Sequence, residues 1–241
     1  MSINSPQKPI GIFDSGIGGL SVLREIHKLM PTVSTIYIGD QAHVPYGSRA
    51  KSDVLRFSQG ITEFLWEQGV GLIVIACNTA SAAALLPLRE QFPQIQFVGM
   101  EPAIKPAAKY TQSGVVGVLA TPSTFKSDLF ASVLIRFAQD SIILTNTCTG
   151  LVEEIEAGRA NGPEARAILE AALHPMIDQG LDSVVLGCTH YPFAKELIQE
   201  ITNGVVEIFD PAPAIARRVQ SLITQNTDLR SSKRKDVDQH R

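Results

Sequence analysis

Gly71-Leu72-Ile73-Val74-Ile75-Ala76 runs directly into Cys77-Asn78-Thr79, and Ser183-Val184-Val185-Leu186-Gly187 runs directly into Cys188-Thr189-His190. Both apolar runs are short and partly β-branched. Each ends in small polar residues followed by a helix-compatible stretch, so the pattern reads strand, loop, helix, twice. In parallel α/β sheets the loops after the strands' carboxyl ends are where ligands bind. Thiols at matched places in two such loops point to two reactive groups facing one site.

The same alternation continues on either side. Ile10-Gly11-Ile12-Phe13 is a first strand, and Asp14-Ser15-Gly16-Ile17-Gly18-Gly19 is its loop. Leu20, Val22, Leu23, Ile26 and Leu29 then keep helical spacing until Pro31. A strand at 35–38, a turn-rich loop through Pro45-Tyr46-Gly47, helices near 50–68 and 79–91 and a strand at 95–98 complete a first set. The second set has a helix near 102–110, a strand at 115–119, a helix over 124–137, a strand at 141–145 and helices over 149–158 and 163–179. After the Cys188 strand come a helix near 192–202, a strand at 205–209 and a helix to about 225. Gly11-Ile12-Phe13-Asp14-Ser15 lies 106 positions before Gly117-Val118-Leu119-Ala120-Thr121, and Cys77 lies 111 before Cys188. So long an offset predicts two similar α/β halves meeting at a cleft; solenoid repeats are roughly 20–50 residues.

The 241 residues are 44% hydrophobic and 19% charged, as in an ordinary globular chain with a sizeable core. A net charge of −3 and a pI near 6.0 give no footprint for nucleic acid. No apolar run approaches the roughly 20 residues of a membrane helix. Three cysteines, with no signal-peptide core after Met1, point to free thiols in a reducing cytoplasm. Residues 1–9 read as a loose lead-in, and the charge cluster at 231–236 as a solvated terminus.

Free cysteine is commonly just a small buried hydrophobe. Two at matched places, each beside hydrogen-bonding residues, argue otherwise, whereas Cys148 has no counterpart in the first half and reads as structural. Metal binding fits poorly, because Cys188 and His190 stand two apart but no CxxC or HxxxH pair exists. A Cys–His hydrolase leaves the second thiol unexplained. Proton traffic on opposite faces of one carbon suits two thiols: one as thiolate takes a proton, the other returns one and inverts the centre. An ordinary thiol, with a pKa near 8.5, needs a neighbour that lowers its pKa or accepts its proton; Asp14 and His190 are the candidates. The Asp14–Gly19 loop reads either as a tight βα turn or as a backbone cradle for a carboxylate. It lacks the third glycine of a dinucleotide fingerprint, which Ser21 replaces. Ser15 suits a helix cap, which would leave Asp14 for chemistry. Tyr46 and Gly47 sit in an ordinary turn or a site-facing loop, and Glu153, Glu154 and Glu156 share a helix whose default is a solvated face.

Gly11–Leu20, Pro45-Tyr46-Gly47, Ala76-Cys77-Asn78-Thr79-Ala80, Gly117–Pro122 and Gly187-Cys188-Thr189-His190-Tyr191-Pro192 together resemble glutamate racemases, within the aspartate/glutamate racemase family. The resemblance spans about residues 9–220. It implies two α/β domains around one active site: 1–99 with the returning C-terminal segment 211–241, and 100–210. It implies cofactor-independent interconversion of L- and D-glutamate, feeding D-glutamate to peptidoglycan synthesis, by an enzyme that binds no metal and is usually a homodimer. Cys77 and Cys188 match the two proton carriers. Asp14 matches the residue assisting the first thiol, His190 the one assisting the second, and Glu156 a further acid near the second. Ser15, Tyr46, Gly47, Asn78, Thr79 and Thr189 match substrate contacts, along with Asp14 and His190. Cys148-Thr149 stands where the family often has Cys-Pro, and Phe130 where tyrosine is frequent. The alternatives are a racemase of aspartate or another amino acid, and a regulatory, topoisomerase-inhibiting protein on the same scaffold.

Overall fold

A computed structural model describes residues 8–226; the lead-in before Lys8 and the charged tail at 231–236 lie outside them. Among the described residues, eight strands form two four-stranded sheets: β1 (Ile10–Asp14), β2 (Thr35–Gly39), β3 (Leu72–Ile75) and β4 (Gln96–Gly99), then β5 (Val115–Ala120), β6 (Ile142–Asn146), β7 (Ser183–Gly187) and β8 (Glu207–Phe209). The sheets share one topology, β2-β1-β3-β4 and β6-β5-β7-β8, and every pairing is parallel. The helices are α1 (Leu20–Leu29), α2 (Lys51–Glu67), α3 (Asn78–Gln91), α4 (Ile104–Tyr110), α5 (Pro122–Phe125), α6 (Asp128–Phe137), α7 (Leu151–Glu156), α8 (Pro163–Ile177), α9 (Lys195–Ile201) and α10 (Ala212–Gln225).

Both faces of each sheet are covered, which is why the central strands read as unbroken apolar runs. Leu72 and Val74 of β3 point to one face, where they pack with Val22 and Ile26 of α1 and Ala212, Ile215, Ala216 and Val219 of α10. Ile73 and Ile75 point to the other, against Ala80, Ala84 and Leu88 of α3. The last helix therefore returns to the first sheet. In the second sheet, Val184 and Leu186 face α7, α8 and α9, while Val185 faces α4 and α6.

Some element ends differ from the sequence expectation, each for a local reason. The helix expected over 124–137 is two, because the Thr121 and Ser127 side chains cap α5 and α6 separately, accepting from Thr124 N and Phe130 N. The helix expected from 149 begins at Leu151; Asn146 Oδ1 accepts from Cys148 N, and Cys148 adopts φ 42°. The stretch after His190 begins as a 3-10 turn over Tyr191–Ala194 before α9. The last strand starts at Glu207; Val205 turns back through its N–H to Thr202 and is exposed.

With each strand order reversing direction beside its first strand, the crevices open between β1 and β3 and between β5 and β7, beyond their carboxyl ends. The loops after those four strands meet across the seam between the two sheets.

Candidate active site

Cys77 follows β3 and is itself the N-cap of α3, its Sγ accepting from Ala80 N at 3.4 Å. The sulfur also lies 3.9 Å from Ser15 Oγ, with the thiol as donor. Cys188 follows β7, and its Sγ lies 3.7 Å from His190 Nδ1. Both thiols are almost wholly buried, 5% and 6% exposed, and both line one small cavity of about 10 Å³. Ser15, Pro45, Tyr46, Gly47, Asn78, Thr79, Thr121, Val152, Thr189 and His190 complete its wall. The structure thus brings Cys77, Cys188, His190, Ser15, Tyr46, Gly47, Asn78, Thr79 and Thr189 to one place.

Asp14 and Glu156 stand behind that wall. Asp14, at the end of β1, is fully buried; its Oδ2 accepts from Gly16 N at 3.0 Å and its Oδ1 from Thr189 Oγ1 of the other half at 3.0 Å. Burial raises its pKa, opposed by the charge of His190 and by hydrogen bonds from Gly16, Thr189 and Gly19. Burial likewise pushes the Cys77 thiol up, and the Asp14 charge adds to this, while the Ala80 and Ser15 contacts pull the other way. Cys77 is therefore a protonated thiol at rest.

Beside the second thiol stands a titratable ring. Burial would lower the His190 pKa, but the hydrogen bonds to Cys188 and Glu156, with the charges of Cys188 and Asp14, push it up to about 10. Nε2 lies 2.5 Å from Glu156 Oε1. Burial would raise Glu156, yet bonds from His190, Gln41 and Ile17 and the His190 charge hold it at about 2. The result is a chain from the Cys188 sulfur through the His190 imidazolium to the Glu156 carboxylate.

One sequence expectation changes, and the structure adds detail to two others. Ser15 caps no helix; Gly19 is the N-cap of α1 and has no side-chain bond. The Asp14–Gly19 loop is no open anion cradle, since Gly16 N and Ile17 N already bond Asp14 and Glu156. The Tyr46 hydroxyl donates to Asp40 Oδ2 at 2.6 Å, so the ring lines the cavity while its phenol is engaged elsewhere. Thr121 and Val152 line the cavity without having been singled out. The place of Thr121 at the end of β5, matching Ser15 in the repeat, was the available signal; Val152, on a helix, offered none.

The model of the Asp/Glu/hydantoin racemase family matches residues 10–219. The chain belongs to that family. It is 50% identical over 224 residues to a glutamate racemase of Ectopseudomonas mendocina, covering 93% of this chain and 85% of that protein. Among solved structures it resembles Escherichia coli glutamate racemase in complex with L-glutamate and the activator UDP-MurNAc-Ala. The TM-score is 0.84 and the identity 36%, over 96% of this chain and 86% of that one. Francisella tularensis glutamate racemase in complex with D-glutamate gives a TM-score of 0.80 and 32% identity, over 95% and 85%. In this chain Cys77 and Cys188 stand on matched loops of matched sheets. Among the described residues, no helix is long and apolar enough to cross a membrane.

Proposed function

We propose that this chain is a glutamate racemase that moves protons with two thiols and no cofactor. The observation that carries the reading is the pair of buried cysteines, one from each half, lining the same cavity. Asn78 adds to it: its Nδ2 and Oδ1 are buried beside the thiols and find no partner among the described residues, as groups that bind a polar substrate would.

In the reaction, Cys188 as thiolate takes the Cα proton, assisted by His190, which Glu156 holds. The carbanion's charge spreads into the substrate carboxylate. The Cys77 thiol gives its proton to the opposite face, and Asp14 assists that side. The products are the inverted amino acid, a Cys188 thiol and a Cys77 thiolate; the reverse reaction exchanges the roles. Transfer requires each sulfur at roughly 3–3.5 Å from the carbon on its own face, and the cavity of about 10 Å³ has to widen to admit the amino acid. Ser15, Tyr46, Gly47, Asn78, Thr79 and Thr189, with Asp14 and His190, form the substrate's surroundings. We assign residues 1–99 with 211–241 to the Cys77 domain and 100–210 to the Cys188 domain. The enzyme acts in the cytoplasm as a homodimer, supplying D-glutamate for peptidoglycan, and sedimentation velocity tests the assembly.

The deciding experiment offers pure enantiomers of several amino acids to cofactor-free, chelator-treated protein, and repeats it with Cys77→Ser and Cys188→Ser. The expected result is racemisation of glutamate by the unmodified protein and a loss of at least about a thousandfold in each variant, a hydroxyl being a poor base toward carbon. Two-way racemisation at full rate by either variant, or a requirement for pyridoxal phosphate, overturns the mechanism; turnover of aspartate alone overturns the substrate.

A further inference from the structure

Glu156 is the point at which the two halves share one carboxylate. It ends α7 in the second half. Its Oε1 receives His190 Nε2 from its own half and Ile17 N at 2.9 Å from the loop after β1. Its Oε2 receives Gln41 Nε2 at 3.0 Å, from the loop after β2. Gln41 is exposed, and this is the hydrogen bond its side chain makes. Its loop is held by other means: Asp40 accepts from Tyr46 and pairs with His43 at 2.8 Å, and Arg49 Nε donates to His43 O. The Gln41 amide is thus not needed to shape its own loop. Without it, Oε2 has no donor among the described residues, and the carboxylate is held through Oε1 alone, so its plane is less firmly set against the imidazole.

We propose that Gln41 is a positioning residue for the Cys188 half-reaction: reaching across the seam, it fixes the Glu156 carboxylate and thereby holds His190 against the sulfur. This rests on the racemase reading above. It also ties proton transfer at one thiol to the approach of the opposite half, because Gln41 and Ile17 reach Glu156 only when the halves are together.

Enantiomers in water have equal free energy, so any variant must lose kcat/KM equally in both directions, and that loss alone cannot locate the fault. Deuterium at Cα can. Gln41→Ala is expected to lower kcat/KM about fivefold, the scale of one exposed, charge-assisted hydrogen bond. The isotope effect on kcat/KM should rise for the enantiomer that Cys188 deprotonates and fall for the other. Gln41→Glu, which sets a second carboxylate against Glu156, should do the same more strongly. Ser123→Ala removes a different bond across the seam, Ser123 Oγ to Gly47 O at 2.7 Å, and should leave the isotope effects balanced as in the unmodified protein. If the unmodified protein fails to racemise glutamate, the underlying reading falls. If it racemises glutamate while Gln41→Ala keeps its kcat/KM, loses it with unchanged isotope effects, or is matched in pattern by Ser123→Ala, the role of Gln41 alone is overturned.

Discussion

His190 is buried and Glu156 part-buried, and the protonation of each differs between the folded and unfolded chain, so the pair makes stability depend on pH. Glu156 is lowered from its ordinary 4.5 to about 2, so its contribution is present above 4.5 and is lost as pH falls toward 2. His190 is raised from 6.5 to about 10, so its contribution is whole below 6.5 and is lost as pH rises through 10. Both act fully only between about pH 4.5 and 6.5. Glu156→Gln should therefore cost about 2 kcal/mol near pH 5.5 and clearly less at pH 3 and pH 10, measured by urea denaturation against the unmodified protein. A cost that stays constant across that range contradicts the assignment. At this scale the sequence was readable wherever a candidate site residue sits next to a strand end: Cys77, Cys188 and His190, which line one cavity, announce themselves by position. By local pattern Glu156 looked like one of three acids on a solvated helix face, and the family resemblance alone singled it out. What sets it apart is the reach of Gln41 and Ile17, 115 and 139 positions away, which no local pattern carries.

Helix α3 is the element that presents Cys77, Asn78 and Thr79, and Ser81 fastens its first turn. Ser81 Oγ donates to Ile75 O at the end of β3 at 3.0 Å and accepts from Met100 N just after β4 at 2.8 Å. One hydroxyl thus joins the helix, the Cys77 strand and the segment leading to the second half. Ser81→Ala leaves a buried N–H and a buried carbonyl each short of a partner, and should lower the unfolding free energy by about 2 kcal/mol, read from the denaturant midpoint at constant slope. A change below about 0.5 kcal/mol would mean the segment repairs itself and that Ser81 is no fastener. The strands were legible because strands buried on both faces leave few polar interruptions, as in Leu72–Ile75 and Ser183–Gly187. Helix boundaries were less so, since a cap depends on which hydroxyl or sulfur faces the first turn. Thr121 and Ser127 each do so and divide one expected helix, while Ser15 does not and a sulfur caps α3 instead.

Across the whole molecule, the scaffold is nearly symmetric and the chemistry is not. The sheets match strand for strand, yet by the repeat offsets Asp14 corresponds to Ala120 and His190 to Thr79. Each half also serves the other's thiol: Thr189 donates to Asp14, and Ile17 and Gln41 bond Glu156. The sequence offset revealed the two halves, but how tightly their loops interlock depends on atoms without sequence signature, above all on hydrogens where Cβ would be. A Cβ on Gly16 would lie 1.9 Å from Glu156 Oε1, and one on Gly18 would lie 2.5 Å from both His190 Nδ1 and Thr189 Oγ1. These glycines let one half approach the other. At Gly18 the obstructed atoms cannot swing aside freely, because His190 is bonded to Cys188 and Glu156 and Thr189 to Asp14. Gly18→Ala must therefore part the halves or push the imidazole off the sulfur, by something near 1 Å. Displacement on that scale costs roughly a hundredfold in rate, so kcat/KM for glutamate should fall by about that factor. The sheet cores lie away from this contact, so the melting temperature should stay within about 4 °C of the unmodified protein. Undiminished turnover in Gly18→Ala would mean that the loops need not meet this closely for the thiols to work, and collapse of the fold would mean that the seam carries stability rather than alignment.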